Sequence, residues 1–315
     1  MTDSTSRRDV DEALASDYVI IRELAPPRGM SAFAARSRAD GRDVEIKTIP
    51  DAILAGGTGV SAAAIAAGRI EHPNILPVLE WGRQGETFYW VSPAADARTL
   101  RARLARGGRV DLKDSLTLLR DVAAALTHAH HQGVVHGGLT PDNVLISGGS
   151  ALIADLGFPD VFAALNRQAS ASVPGPASAA SLGYASPEQA SGRVPDARSD
   201  VYTWGVIAYE LLGGRHPFAG RSTPREMLAA HVAEEPLQLA AGRFDVPPSI
   251  TRLVMRCLSK EPAKRPESAR EVFAGLTKEM LVPPPSAPAG SGQKVFLGIV
   301  AALVVAMAAL ALLTP

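Results

Sequence analysis

The chain has 315 residues, 46% of them hydrophobic, enough to bury the core of one large domain or of two lobes. Its 32 basic and 32 acidic residues balance, so it lacks the net basic field on which a nucleic-acid-binding surface depends, and no nucleic-acid partner is expected. A single cysteine excludes an intrachain disulfide and agrees with a reduced compartment.

Residues 1–16 read as a polar tail with two arginines and no apolar stretch behind them, so no secretory signal is expected there. The segments YVIIREL, FAARSRA and DVEIKTI that follow alternate in polarity and carry β-branched residues. They predict antiparallel strands separated by turns such as Asp40-Gly41. An Ala/Gly-rich stretch predicts a helix over 51–69, and further strands are expected at 75–81 and 87–91. Helical spacing then takes over. Leu116, Leu119, Val122, Leu126 and Ala129 share one face, and Gly133 ends the run. Val201, Trp204, Ile207, Ala208 and Leu211 make a second stripe, and Ile250, Leu253, Val254 and Cys257 a third. Strands first and helices later describe an α+β domain over 17–280, with a small β-rich lobe ahead of a larger helical one. No internal repeat is visible.

Residues 281–294 are rich in Pro, Gly and Ser and read as a linker. Residues 295–313, VFLGIVAALVVAMAALALL, contain no charged or strongly polar side chain. As a helix they would span about 28 Å, close to the ~30 Å hydrocarbon core of a bilayer. The alternative, a buried core helix, is disfavoured by the linker before it. One C-terminal transmembrane helix is therefore expected, with Lys294 weakly favouring a cytoplasmic flank.

Several short motifs then occur in a telling order. They are Val44-Glu45-Ile46-Lys47, His72-Pro73-Asn74-Ile75, and His136-Gly137-Gly138-Leu139-Thr140-Pro141-Asp142-Asn143. Asp155-Leu156-Gly157, Ser186-Pro187-Glu188, the Ser199-to-Gly205 stretch and Pro262-Ala263-Lys264-Arg265-Pro266 follow. On these residues the chain resembles the bacterial eukaryotic-like Ser/Thr protein kinases from about Tyr18 to Leu276. The resemblance implies the bilobal protein-kinase fold, with ATP and Mg2+ as the family's ligands. It implies nucleotide-binding roles for Lys47, Asn143 and Asp155, the last two also as Mg2+ ligands. Structural roles are implied for His136, Glu188, Asp200 and Arg265, with Glu188 pairing with Arg265 and Asp200 accepting from the catalytic-loop backbone.

The same resemblance exposes what the chemistry would miss. Phosphoryl transfer needs a phosphate cradle, a lysine, metal ligands and a base for the hydroxyl proton. Gly138 stands at the catalytic-base position, Gly137 at the preceding arginine and Thr140 at the catalytic-loop lysine, so no intact catalytic residue is expected. Losing a positioned base commonly costs ~10²–10⁴ in rate. Between Ala52 and Ile70 there is no acidic residue to pair with Lys47. Two prolines, Pro26 and Pro27, break the phosphate loop, and Glu45 replaces a small residue over the adenine site. Asp142 is near the missing base but matches a position that points elsewhere. Asp155 has two readings, a metal ligand or a direct partner of Lys47. Ser170, Ser172, Ser178 and Ser181 lie in a Ser/Ala-rich segment that reads as a loop, or as a phosphate acceptor for another kinase.

Three functions follow. The first is a membrane-tethered pseudokinase with little or no phosphotransfer, a scaffold or allosteric module for a cytosolic protein partner. The others are an atypical active Ser/Thr kinase and an ATP-binding sensor without turnover. In each case the expected location is the inner (cytoplasmic) membrane, single-pass, with the kinase-like domain in the cytoplasm.

Overall fold

Period-2 alternation near the N-terminus becomes a five-stranded antiparallel sheet. Its strands β1 (Tyr18–Leu24), β2 (Ser31–Ser37), β3 (Asp43–Pro50), β4 (Glu80–Gln84) and β5 (Thr87–Pro93) lie in the order β1-β2-β3-β5-β4. The computed structural model describes residues 14, 16–24, 30–54, 62–107, 110–171, 182–239 and 245–281. The chain divides into two compact units, Met1–Glu279 and Met280–Pro315, and the sheet and the helices that follow it build the first.

Successive side chains of a strand face opposite sides, and the sheet uses both. One face joins Tyr18, Phe33, Val44, Ile46 and Val91 in a small core. The other carries Glu45, Lys47 and Ile49 on β3 opposite Ser92, Trp90 and Phe88 on β5, and Ile49, Phe88 and Trp90 of this face pack with Phe158, Val161 and Phe162. The helix expected over 51–69 is described as α1 (Asp51–Leu54) and α2 (Ala62–Ala67), with the residues between them outside the described set.

The strand expected at 75–81 is corrected to β4, which begins at Glu80. Residues 74–76 instead tie the two lobes. Ile153 donates its N–H to Asn74 O at 2.9 Å, and Leu76 donates to Ile153 O at 2.9 Å. A short sheet of β6 (Arg98–Thr99), β7 (Val144–Ser147) and β8 (Ser150–Ile153) receives them.

The helical lobe contains α3 (Leu100–Ala105), α4 (Leu112–His131), α5 (Pro159–Ala171), α6 (Pro187–Ala190) and α7 (Ala197–Gly213). It continues with α8 (Pro224–Ala233), α9 (Pro248–Cys257) and α10 (Ala269–Leu281). The stripe read on α4 is buried, and α7 is buried on nearly every side as the lobe's axis. Asp196 caps the start of α7 by accepting from Arg198 N and Ser199 N, and Gly214 ends it in the left-handed conformation. Such caps satisfy backbone groups that a helix end leaves open, at about 1 kcal/mol each. The Trp204 indole donates to Leu119 O at 3.0 Å and pins α7 to α4.

Among the described residues no helix is long and apolar enough to cross a membrane. The span expected at 295–313, the linker from 282 onward, most of the 1–16 tail and the proline-bearing loop 25–29 lie outside the described residues. Ser172, Ser178 and Ser181 do as well.

Candidate functional site

The loop from His136 to Asn143 is anchored from beneath by α7. Asp200 accepts from His136 N at 2.8 Å, from Gly137 N at 2.9 Å and from His130 Nε2 at 2.8 Å. Burial alone would raise the Asp200 carboxyl, but the His130 hydrogen bond and the nearby imidazoles outweigh it and hold the group below its ordinary value. His136 donates from Nε2 to Ala154 O at 3.1 Å, and burial pushes its ring pKa down. The carbonyl can only accept, so Nε2 carries the proton and the ring is neutral.

A second anchor joins α6 to the end of the domain. Glu188 and Arg265 form a bidentate pair, Nη1 to Oε1 at 2.8 Å and Nη2 to Oε2 at 2.9 Å, with the guanidinium fully buried. Ser199 Oγ adds a hydrogen bond to Glu188 Oε1 at 2.5 Å. Burial works against the Glu188 charge, yet Arg265 and Ser199 keep the carboxyl below the usual range.

Lys47 and Asp155 meet in the cleft. Lys47 Nζ donates to Asp155 Oδ1 at 2.7 Å and to Oδ2 at 2.8 Å, and also pairs with Glu45 Oε1 at 3.3 Å. Glu45 therefore faces the cleft, on the side of the lysine. Burial opposes the ammonium charge, but the Asp155 and Glu45 carboxylates prevail and hold the Lys47 pKa above its ordinary value. The Trp90 indole donates to Asp155 Oδ1 at 2.9 Å. Both carboxylate oxygens are thus bonded to protein donors, and the Asp155 side chain is only 2% exposed. Asp155 also holds a φ of 62°, left-handed backbone that costs a non-glycine residue of order 1 kcal/mol.

Asn143 is likewise engaged at both ends. Its Nδ2 donates to Gly138 O at 3.0 Å, and its Oδ1 accepts from Thr140 N at 2.7 Å. Asp142 turns outward to Arg101, whose Nη2 lies 3.3 Å away.

The space above Gly138 is occupied. A Cβ placed there would fall 2.0 Å from Phe162 Cγ and 2.1 Å from Cδ2, distances at which no side chain fits. Phe162 comes from α5, the helix that starts just after Asp155-Leu156-Gly157. With Phe158, Val161, Ala164 and Leu165 it enters a core shared with Ile49, Phe88 and Trp90 of the sheet. The Phe158 and Trp90 rings lie 4.9 Å apart. Burying a phenylalanine of this kind contributes roughly 1.5–3 kcal/mol. Gly137 (φ 65°) lies against Pro159 and Gly157 (φ 95°) against Ala67, where a Cβ would come within 2.8 and 2.4 Å of the neighbouring Cβ atoms. The alanine-rich α2 is narrow enough for that approach.

The sequence motifs point to neither Trp90 nor Phe162. A buried tryptophan on a strand reads as core. Phe162 carried a usable signal, since Phe158, Val161, Phe162 and Leu165 have helical spacing.

The protein kinase domain family model matches residues 31–275. Serine/threonine-protein kinase PrkC of Bacillus subtilis is 31% identical over 216 residues, which is 68% of this chain and 32% of the relative. Serine/threonine-protein kinase PknB of Mycolicibacterium smegmatis is 33% identical over 229 residues, 70% of this chain and 36% of the relative. PknB of Mycobacterium leprae is 32% identical over 228 residues, with the same two shares. The chain spans about a third of the length of these relatives.

Proposed function

Since the chain belongs to the protein kinase family, we propose that it uses that fold as a membrane-tethered pseudokinase, a recruiting or allosteric module with little or no phosphotransfer. One observation carries this reading: the Phe162 ring fills the volume that a side chain at residue 138 would need. The missing base is matched by a neighbour that takes its place, so restoring an aspartate there meets a phenylalanine and not an open site.

The state of the ligand groups supports the same reading. The kinase family uses ATP with Mg2+, which neutralises the developing phosphate charge. Here the Asp155 oxygens are bonded to Lys47 and Trp90, and Asn143 Oδ1 is bonded to Thr140 N. In this arrangement the residues do not fit a magnesium–nucleotide complex, and no catalytic step is routed through one. Lys47 and Asp155 serve each other as structural partners, while His136, Asp200, Glu188 and Arg265 hold the helical lobe. Removing one partner of such a buried pair costs about 3–5 kcal/mol, which is reason enough for both to be present.

Tethering rests on the apolar run 295–313, and a cytosolic protein partner on the domain's place ahead of it. The location that follows is the cytoplasmic membrane.

The test is a phosphotransfer assay on the full chain in detergent, with γ-labelled ATP, Mg2+ and a generic acceptor protein. The expected incorporation equals that of an Asp155→Ala variant. Incorporation that Asp155→Ala abolishes would establish an active kinase and overturn the proposal.

A further inference from the structure

Asp155 has two donors of unlike kind. Lys47 Nζ bonds to both of its oxygens, at 2.7 and 2.8 Å, and the Trp90 indole bonds to Oδ1 at 2.9 Å. The lysine ends a flexible four-carbon stem and can turn its donors elsewhere. The indole cannot. Trp90 stands opposite Lys47 in the β3–β5 register and is fully buried, its ring 4.9 Å from Phe158 and 6.0 Å from Phe88. Phe158 lies just after Asp155 in sequence, so the segment that bears the carboxylate also packs the ring that holds it. Turning the N–H away from Asp155 would strand a donor in a dry core.

A carboxylate offers about four lone-pair positions, and here Lys47 and Trp90 between them use both on Oδ1 and one on Oδ2. Mg2+ demands a near-octahedral oxygen shell at about 2.0–2.1 Å and keeps several of its waters. An Asp155 side chain only 2% exposed has no room beside it for that shell. The indole is a donor alone, so it cannot take a ligand's place on the metal. Asn143, the other ligand that the family would use, is held at both ends within the 136–143 loop.

We infer that Trp90 determines what the cleft accepts: its indole holds Asp155 as the partner of Lys47 and keeps divalent cations, with the nucleotide phosphates they would bring, off the carboxylate. The inference rests on the non-catalytic reading above and names the side chain that closes the cleft to a metal–nucleotide. This closure is separate from the loss at Gly138, because Trp90 belongs to β5 and Phe162 to α5. Removing the indole N–H therefore opens Asp155 to metal while the base stays absent, and gives binding without turnover.

The experiment has two arms, both on the full chain in detergent. In the first, the indole nitrogens of Trp81, Trp90 and Trp204 are labelled with 15N and followed by NMR while Mn2+ and ATP are added to the unaltered chain. A paramagnetic ion on Asp155 would erase the signal of an indole proton bonded to the same carboxylate. The expected result is that Trp90 keeps its signal as Trp204 does, whose N–H is spent on Leu119 O in the helical lobe. In the second arm, Mg2+-dependent binding of a fluorescent ATP is expected to tighten about tenfold or more in Trp90→Phe, the worth of one hydrogen bond to a charged group. Trp90→Met, which also lacks the N–H, should show the same gain, and adding Asp155→Ala should remove it. Selective loss of the Trp90 signal in the unaltered chain, no gain in either variant, or a gain that survives Asp155→Ala would overturn the inference. If the unaltered chain binds Mg2+–ATP without phosphotransfer, the closure is refuted and the non-catalytic reading stands. Phosphotransfer gained by Trp90→Phe alone would uphold the closure and overturn the weight given to Gly138.

Discussion

Asp155 accepts three hydrogen bonds in a site nearly closed to water, two from Lys47 and one from Trp90. A buried carboxylate so placed is stable only while its donors remain, because an unpaired charge in a dry interior costs several kcal/mol. Lys47→Ala is therefore expected to lower unfolding stability by about 3–5 kcal/mol in urea titrations. Trp90→Phe, which preserves most of the ring packing and removes the N–H, should lose about 1.5–3 kcal/mol. An unchanged midpoint for Trp90→Phe would contradict the role given to its indole. The Lys47–Asp155 contact was half legible in the sequence. The absence of acidic residues between Ala52 and Ile70 left the lysine in need of a partner, and Asp155 was one of two readings. Trp90 was not legible as a donor, because its acceptor lies 65 residues away and only the register of β5 against β3 brings the two together.

At the level of elements, the strands β1 to β3 and the helices α4, α7 and α9 follow the periodicity of their apolar residues, and the helical stripes are buried apart from Leu253 on α9, which is half-buried. The segment 75–81 departs from its pattern. Ile75 and Val78 are buried while Leu79 is exposed, and the backbone at Ile75 and Leu76 pairs with Ile153 instead of forming a long strand. The segment after Asp155 shows the larger departure. Serine and alanine dominate it from residue 169 onward and suggest a loop. Phe158, Val161, Phe162 and Leu165 nevertheless mark one apolar face over two turns, and Pro159 sits where a helix tolerates proline best. The helix owes its position to tertiary packing of that face against Ile49, Phe88 and Trp90, which no local propensity encodes. Gly138 permits it. Gly138 lies outside the left-handed backbone region, so its role is to leave room and not to allow a turn.

Across the whole molecule, the ionisable anchors set how stability responds to pH. Burial holds the His136, His216 and His231 rings below the ordinary histidine value, so they are neutral in the fold. The unfolded chain takes up protons first as pH falls through about 6.5, and stability is lost from there downward. Asp200 and Glu188 are held below the ordinary carboxyl values, so their contribution is present above about pH 4 and is lost as pH falls further. The melting temperature should therefore fall on acidification from pH 7 to 5, and again below pH 4. A rise between pH 7 and 5 would refute the neutral assignment of the buried histidines. The lobe that these groups anchor presents its 136–143 loop to α5, where Phe162 meets Gly138. A double-mutant cycle in equilibrium unfolding measures that meeting. Gly138→Ala should destabilise the wild-type chain and be relieved in a Phe162→Ala background, with a coupling of roughly 1–3 kcal/mol. Equal costs in the two backgrounds, within about 0.5 kcal/mol, would mean that the ring does not fill the place of the missing side chain.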